Sequence, residues 1–97
     1  MKENVIEAYL RKRVKELGGV HRKVTYQGRN GALDDWCFFP DGRLLIVECK
    51  RPGVNKLDPL QKVEMQFLMK MGFNAAMVNT KMQVDKLLED FFNEQMA

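Results

Sequence analysis

The sequence predicts a single α/β domain in which helices flank a mixed central sheet, in the order α-β-β-β-α-β-α. Three observations lead there. Residues with helical apolar spacing occupy both ends of the chain, and the runs between them are short and rich in Val, Ile, Leu and Phe. Two of those runs are separated only by Pro40-Asp41-Gly42, a hairpin signature. A helix start at Asp58-Pro59 then divides the third apolar run from a fourth.

The elements follow in order. Val5, Ile6, Tyr9, Leu10, Val14 and Leu17 recur at helical spacing over residues 3–17, and Gly18-Gly19 stops the helix. Residues 20–26, "VHRKVTY", alternate and are β-branched, which suits a strand. "QGRNG" is a basic, glycine-rich loop. Residues 33–39 and 43–50 read as strands around the Pro-Asp-Gly turn. The next helix has Asp58 at its N-cap and Pro59 at its first position, and runs to about Met71 before Gly72. "FNAAMVN" is a short strand, and residues 81–95 form a final helix carrying Leu87, Leu88, Phe91 and Phe92.

Composition narrows the classes. A chain of 97 residues suits one core, and 45% hydrophobic with 30% charged residues is a foldable balance. No apolar run approaches the roughly 20 residues of a membrane span, and the charged first helix has no signal-peptide core. A cytoplasmic protein with no membrane partner is therefore expected, with Cys37 and Cys49 as buried free thiols. No Cys/His cluster points to zinc. The net charge of +3 is uneven: residues 1–62 hold 13 basic against 8 acidic side chains, and residues 63–97 hold 3 against 5. That asymmetry suits a nucleic-acid partner, although "RKRVK" also reads as the solvated face of the first helix.

The hairpin carries the chemistry. A three-residue loop, a type I turn followed by a left-handed glycine, pairs Phe39 with Arg43. Asp34 then lies opposite Glu48, with Trp36 opposite Ile46 and Phe38 opposite Leu44, and Lys50 just beyond on the same face. A loop one residue shorter or longer would put Asp34 and Glu48 on opposite faces. Directly opposed residues have Cβ atoms about 4.5–5.5 Å apart. Two carboxylates at that spacing repel unless a cation compensates, and hard oxygen donors suit Mg²⁺ or Mn²⁺. An ordinary surface ion network is the alternative. The opposite face, with Cys37, Phe39, Leu45, Val47 and Cys49, should also be covered.

An Asp, a strand and then Glu-x-Lys resemble the PD-(D/E)XK nuclease superfamily, with its restriction-endonuclease-like fold. Within it the chain resembles the VRR-NUC family, specifically the small stand-alone type of phages and bacteria. The stretches that match are "VIEAYLRKRVKELGG", "GRNGALDDWCFFPDGRLLIVECKRPG" and "LDPLQ". The resemblance implies a single nuclease domain over residues 1–97 that hydrolyses DNA phosphodiesters with Mg²⁺ or Mn²⁺. It makes Asp34 and Glu48 metal ligands, adds the Cys49 carbonyl as a third oxygen, and gives Lys50 the attacking water and the charge on phosphate. Glu7 matches the acid of the first helix that holds metal or its water shell, and Gln61 the glutamine that supports the site. It also implies a homodimer acting on branched DNA such as four-way junctions, with no small-molecule cofactor. Two positions depart from the family: Leu33 replaces the usual Pro, and Asp35 stands where a basic residue is common.

The residues themselves leave alternatives. Gln61 is also the third helical residue after Asp58, where it completes a capping box. Glu3 lies nearer the apolar stripe of the first helix than Glu7. Asp35 should point to the opposite face, on the surface or behind the site, and His21 reads as a strand residue. Arg11, Lys12, Lys23, Arg29, Arg51 and Lys56 are candidate phosphate contacts. Leu87, Leu88, Phe91 and Phe92 either cap the sheet or meet a second copy. Rival functions are a DNA-binding module with an inactive site and a structural subunit of the same fold.

Overall fold

The first helix of the computed structural model, which describes residues 4–96, is α1, Val5–Glu16. Asn4 caps it, its side-chain oxygen accepting from the N–H groups of Ile6 and Glu7 at 2.9 and 3.2 Å. Ile6, Leu10 and Val14 recur every four residues and are buried, which makes this face the one that packs. The strands are β1 (Val20–Lys23), β2 (Asp35–Phe38), β3 (Leu44–Cys49) and β4 (Asn74–Val78). Helix α2, Pro59–Lys70, lies between β3 and β4, and α3, Lys81–Met96, follows β4.

The sheet order is β1-β2-β3-β4, antiparallel except for the parallel β3–β4 pair. A mixed sheet follows from the connections: hairpins turn the chain back, whereas α2 carries it across so that β4 runs with β3. Trp36 pairs with Ile46 and Phe38 with Leu44, the register expected from a three-residue loop. Gly42 has φ 85°, and its N–H bonds to the Phe39 carbonyl at 2.9 Å, so the turn uses the left-handed glycine.

The two faces are unequally covered. On one, α1 and α3 enclose Cys37, Phe39, Leu45, Val47, Cys49 and Val78. On the other, α2 covers Leu33 and Ile46 with Leu68, flanked by Trp36, Leu44 and Ala75. Both cysteines are buried and free, and burial pushes the Cys37 thiol up to about 12. Leu88 and Phe91 are buried and Leu87 and Phe92 pack against them, so these α3 residues complete the monomer core and are not spare surface.

Two strands are shorter than their sequence pattern. The first, expected over 20–26, ends at Lys23. Tyr26 leaves the sheet because its hydroxyl donates to Glu64 on α2 at 2.7 Å, where Arg29 also bonds at 2.9 Å. The second begins at Asp35 and not at residue 33, because Leu33 tucks under α2 and Asp34 turns toward the site. In the following loop, a Cβ on Gly31 would stand 2.8 Å from the Leu60 carbonyl oxygen, so only glycine lets the loop pass α2 this closely.

Candidate active site

The polar end of the sheet gathers side chains from α1 and three strands. Register places Lys23 beside Asp35 across the β1–β2 pair, and Asp35 beside Val47 across the next. Glu7 arrives from α1, whose capping residue also anchors the helix to the sheet. Asn4 Nδ2 donates to the Cys49 carbonyl at 2.8 Å, tying the helix start to the end of β3. Carboxylate oxygens of Glu7, Asp34 and Asp35 all lie within 4.8 Å of one another. Lys23 Nζ bonds to Glu7 Oε2, to Asp34 Oδ2 at 3.0 Å, and lies 3.7 Å from Asp35 Oδ1.

Asp35, expected on the surface or behind the site, is fully buried on the α1 side of the sheet. The expected face is the observed one. Its burial follows from α1 packing over that face, which the local sequence does not reveal. Its Oδ1 accepts from His21 Nε2 at 2.8 Å, and its Oδ2 is buried with no hydrogen-bond partner among the described residues. Burial disfavours its charge, yet the His21 hydrogen bond and the Lys23 charge hold its carboxyl below the ordinary value. Glu7 moves the other way: burial raises it, only partly opposed by Lys23, and Asp35 adds repulsion.

Glu48 closes the site on the β3 side. One carboxylate oxygen lies 3.4 Å from the Asp34 N–H, and the other 3.7 Å from Lys50 Nζ. Burial and the Asp34 charge push its carboxyl up to about 7. Lys50 also stands 3.6 Å from Asp58 Oδ2 at the start of α2. Four acids and two lysines thus meet where α1 begins beside the ends of three strands, a constellation of hard oxygen donors beside ammonium groups.

No family model matches the chain. A curated relative, "Putative nuclease p44" of Acyrthosiphon pisum secondary endosymbiont phage 1, is 32% identical over 81 residues, spanning 84% of this chain and 86% of its own. A solved structure described as a VRR_NUC domain matches with a TM-score of 0.83 and 39% identity, over 87% of this chain and 90% of its own. The chain belongs to the VRR-NUC family. Its four-stranded mixed sheet with three helices is the PD-(D/E)XK-like architecture expected from the sequence.

Within this VRR-NUC chain the residues singled out in the sequence divide into groups. Asp34, Glu7, Glu48 and Lys50 converge, and the Cys49 carbonyl faces Asn4 beside them. Gln61 accepts from the Asp58 N–H at 3.2 Å in a capping box, and is linked to Lys50 through Asp58. Lys23 lies among the acids, and Arg29 is paired with Glu64. Arg11, Lys12, Arg51 and Lys56 are exposed. Glu3 lies outside the described residues.

His21, Asp35 and Asn4 escaped the sequence reading as site members. An aspartate embedded in an apolar strand, "DWCFF", was a usable signal for the second, and an Asn just before a helical run for the third.

Proposed function

We propose that the chain is a divalent-metal-dependent endonuclease that hydrolyses DNA phosphodiester bonds. The observation that carries this reading is the Glu7, Asp34 and Asp35 cluster, with oxygens within 4.8 Å of one another, flanked by Glu48 and Lys50. The residues fit a hard cation, because every side-chain donor in the cluster is a carboxylate oxygen. Glu7, Asp34 and Asp35 would hold it, with Glu48 adjoining. When bound, Mg²⁺ or Mn²⁺ supplies Lewis-acid activation of water and neutralises charge on the phosphoryl group.

The chain's own groups do the rest. Lys50, held between Glu48 and Asp58, positions the attacking water and meets negative charge that grows at phosphorus. Glu48, whose carboxylate has no close cationic partner among the described residues, offers a further oxygen beside the cation. Gln61 fixes the Asp58 backbone and so the start of α2 beside Lys50. Arg11, Lys12, Arg51 and Lys56 offer charge to the phosphate backbone.

Branched DNA such as a four-way junction is the substrate favoured by the family resemblance, and a homodimer the active particle. The interface lies on α2. Leu60, Val63 and Phe67 recur along one stripe of that helix, with Met71 just past its end, and are 56, 57, 55 and 60% exposed. On the same side of the sheet, Val20 and Phe38 are each 43% exposed. Strands about 4.8 Å apart and a helix about 10 Å wide mean that one helix covers roughly two of the four strands. A second α2, antiparallel across a two-fold axis, would bury both stripes.

Nicking of single-strand, duplex, flap and junction DNA in Mg²⁺, Mn²⁺ or EDTA tests the chemistry. Cleavage only with metal, strongest on junctions, is expected. One alternative has support in the Lys23 ammonium amid the acids, namely a DNA-binding module neutralised from within; binding without cleavage in either metal would establish it. Light scattering at micromolar concentration tests the dimer. Phe67→Glu should halve the particle mass with the fold intact, and a monomeric wild type rejects the interface.

A further inference from the structure

The carboxylates of the proposed metal site are already bridged by a cation that belongs to the chain. Lys23 is the last residue of β1, and its Nζ bonds to Glu7 and to Asp34 with Asp35 nearby at 3.7 Å. These are the same three residues whose oxygens cluster within 4.8 Å. Lys50 is not a substitute, because its ammonium faces Glu48 and Asp58.

The two sides of this contact are held differently. Glu7 is set by α1 and Asp35 by β2 and His21, and their side chains are 15% and 1% exposed. The Lys23 side chain is 53% exposed on a flexible four-carbon stem. It reaches the acids from the solvent side and has room to withdraw without disturbing the sheet. Three carboxylates this close repel one another, and one ammonium offsets part of that repulsion. A divalent ion offers twice the charge and a harder centre.

We infer that Lys23 is a tethered counter-ion: it holds the acidic cluster together in the metal-free protein and must leave when a divalent cation binds. This role rests on the metal-dependent reading above. Lys23 thereby has two effects of opposite sign. It weakens metal affinity, because binding must first break its contacts, and it stabilises the metal-free fold.

Calorimetric titration of the whole chain with Mn²⁺, beside thermal melting in EDTA, tests this on wild type, Lys23→Met and Lys23→Arg. Lys23→Met should bind Mn²⁺ about tenfold more tightly, a change of about 1.4 kcal/mol. It should melt lower than wild type in EDTA and recover when Mn²⁺ saturates. Lys23→Arg, which keeps the charge, should stay near wild type. If Lys23→Met does not fold in EDTA, chelator competition from the Mn²⁺-loaded protein yields the same affinity. Unchanged or weaker Mn²⁺ binding by Lys23→Met overturns the inference, including the case where only DNA affinity falls and Lys23 is a phosphate contact. A wild type that binds no Mn²⁺ instead refutes the metal site itself.

Discussion

Asp35 and Glu48 sit on neighbouring strands at the same end of the sheet, and both are buried, at 0 and 7% exposure. Their acidities nevertheless move apart. Asp35 overcomes burial because His21 bonds to it at 2.8 Å and Lys23 adds charge, and it ends below its ordinary value. Glu48 has Lys50 only at 3.7 Å and faces the Asp34 charge, and it rises to about 7. Burial sets the cost of a carboxylate, but the distance and number of its cationic partners decide the sign. Asp35 therefore enters the acidic cluster with its charge compensated, and Glu48 adjoins that cluster with its charge uncompensated.

The largest effects should be on cleavage. Asp34→Asn, Glu48→Gln and Lys50→Ala are each expected to lower cleavage by roughly a hundredfold or more while DNA binding persists, since losing a ligand or the water-positioning group acts on the transition state. Single-turnover cleavage beside equilibrium binding measures both. A variant of the three that keeps a near wild-type rate removes that residue from the site.

Stability should divide the same pair of residues the other way. Asp35→Ala leaves His21 buried without its partner and is expected to cost about 3 kcal/mol in urea unfolding in EDTA. Glu48→Gln removes a strained charge and should be neutral or stabilising at pH 8. If both destabilise equally, the contrast between them is wrong.

The pH dependence sharpens this. Glu48 has a raised folded pKa, so its contribution to metal-free stability is fully present below its unfolded value of 4.5 and is lost as pH rises through about 7. The loss should be on the order of 3 kcal/mol. Asp35, lowered in the fold, contributes above its unfolded value of 3.8, and that contribution is lost as pH falls through its lower folded value. Urea unfolding in EDTA from pH 4 to 8 should show a decline that Glu48→Gln largely removes, with a residue of the same sign from the raised Glu7.

The smallest expected effect is on melting. Millimolar Mg²⁺ or Mn²⁺ should raise the thermal midpoint by a few degrees through binding to the folded state. Glu48→Gln should respond less, and a wild-type curve indifferent to both ions would count against a preformed site.

Local pattern by itself was sufficient for much of this protein. Element order, the three-residue hairpin loop, the pairing of Trp36 with Ile46 and Phe38 with Leu44, and the two apolar faces of β3 all follow from side-chain alternation and turn chemistry between near neighbours in the chain. Gln61 in its capping box is equally local. The rest needed contacts between distant residues. Asn4 bonds across 45 positions to the Cys49 carbonyl and so delivers Glu7, and pairing of β1 with β2 brings His21 and Lys23 onto Asp35. Whether an aspartate on the far face of a strand meets water or a packed helix depends on where that helix lies. Only the tertiary structure, through α1, decided that Asp35 is buried, that Lys23 stands among the acids, and that the spare apolar stripe belongs to α2 and not to α3.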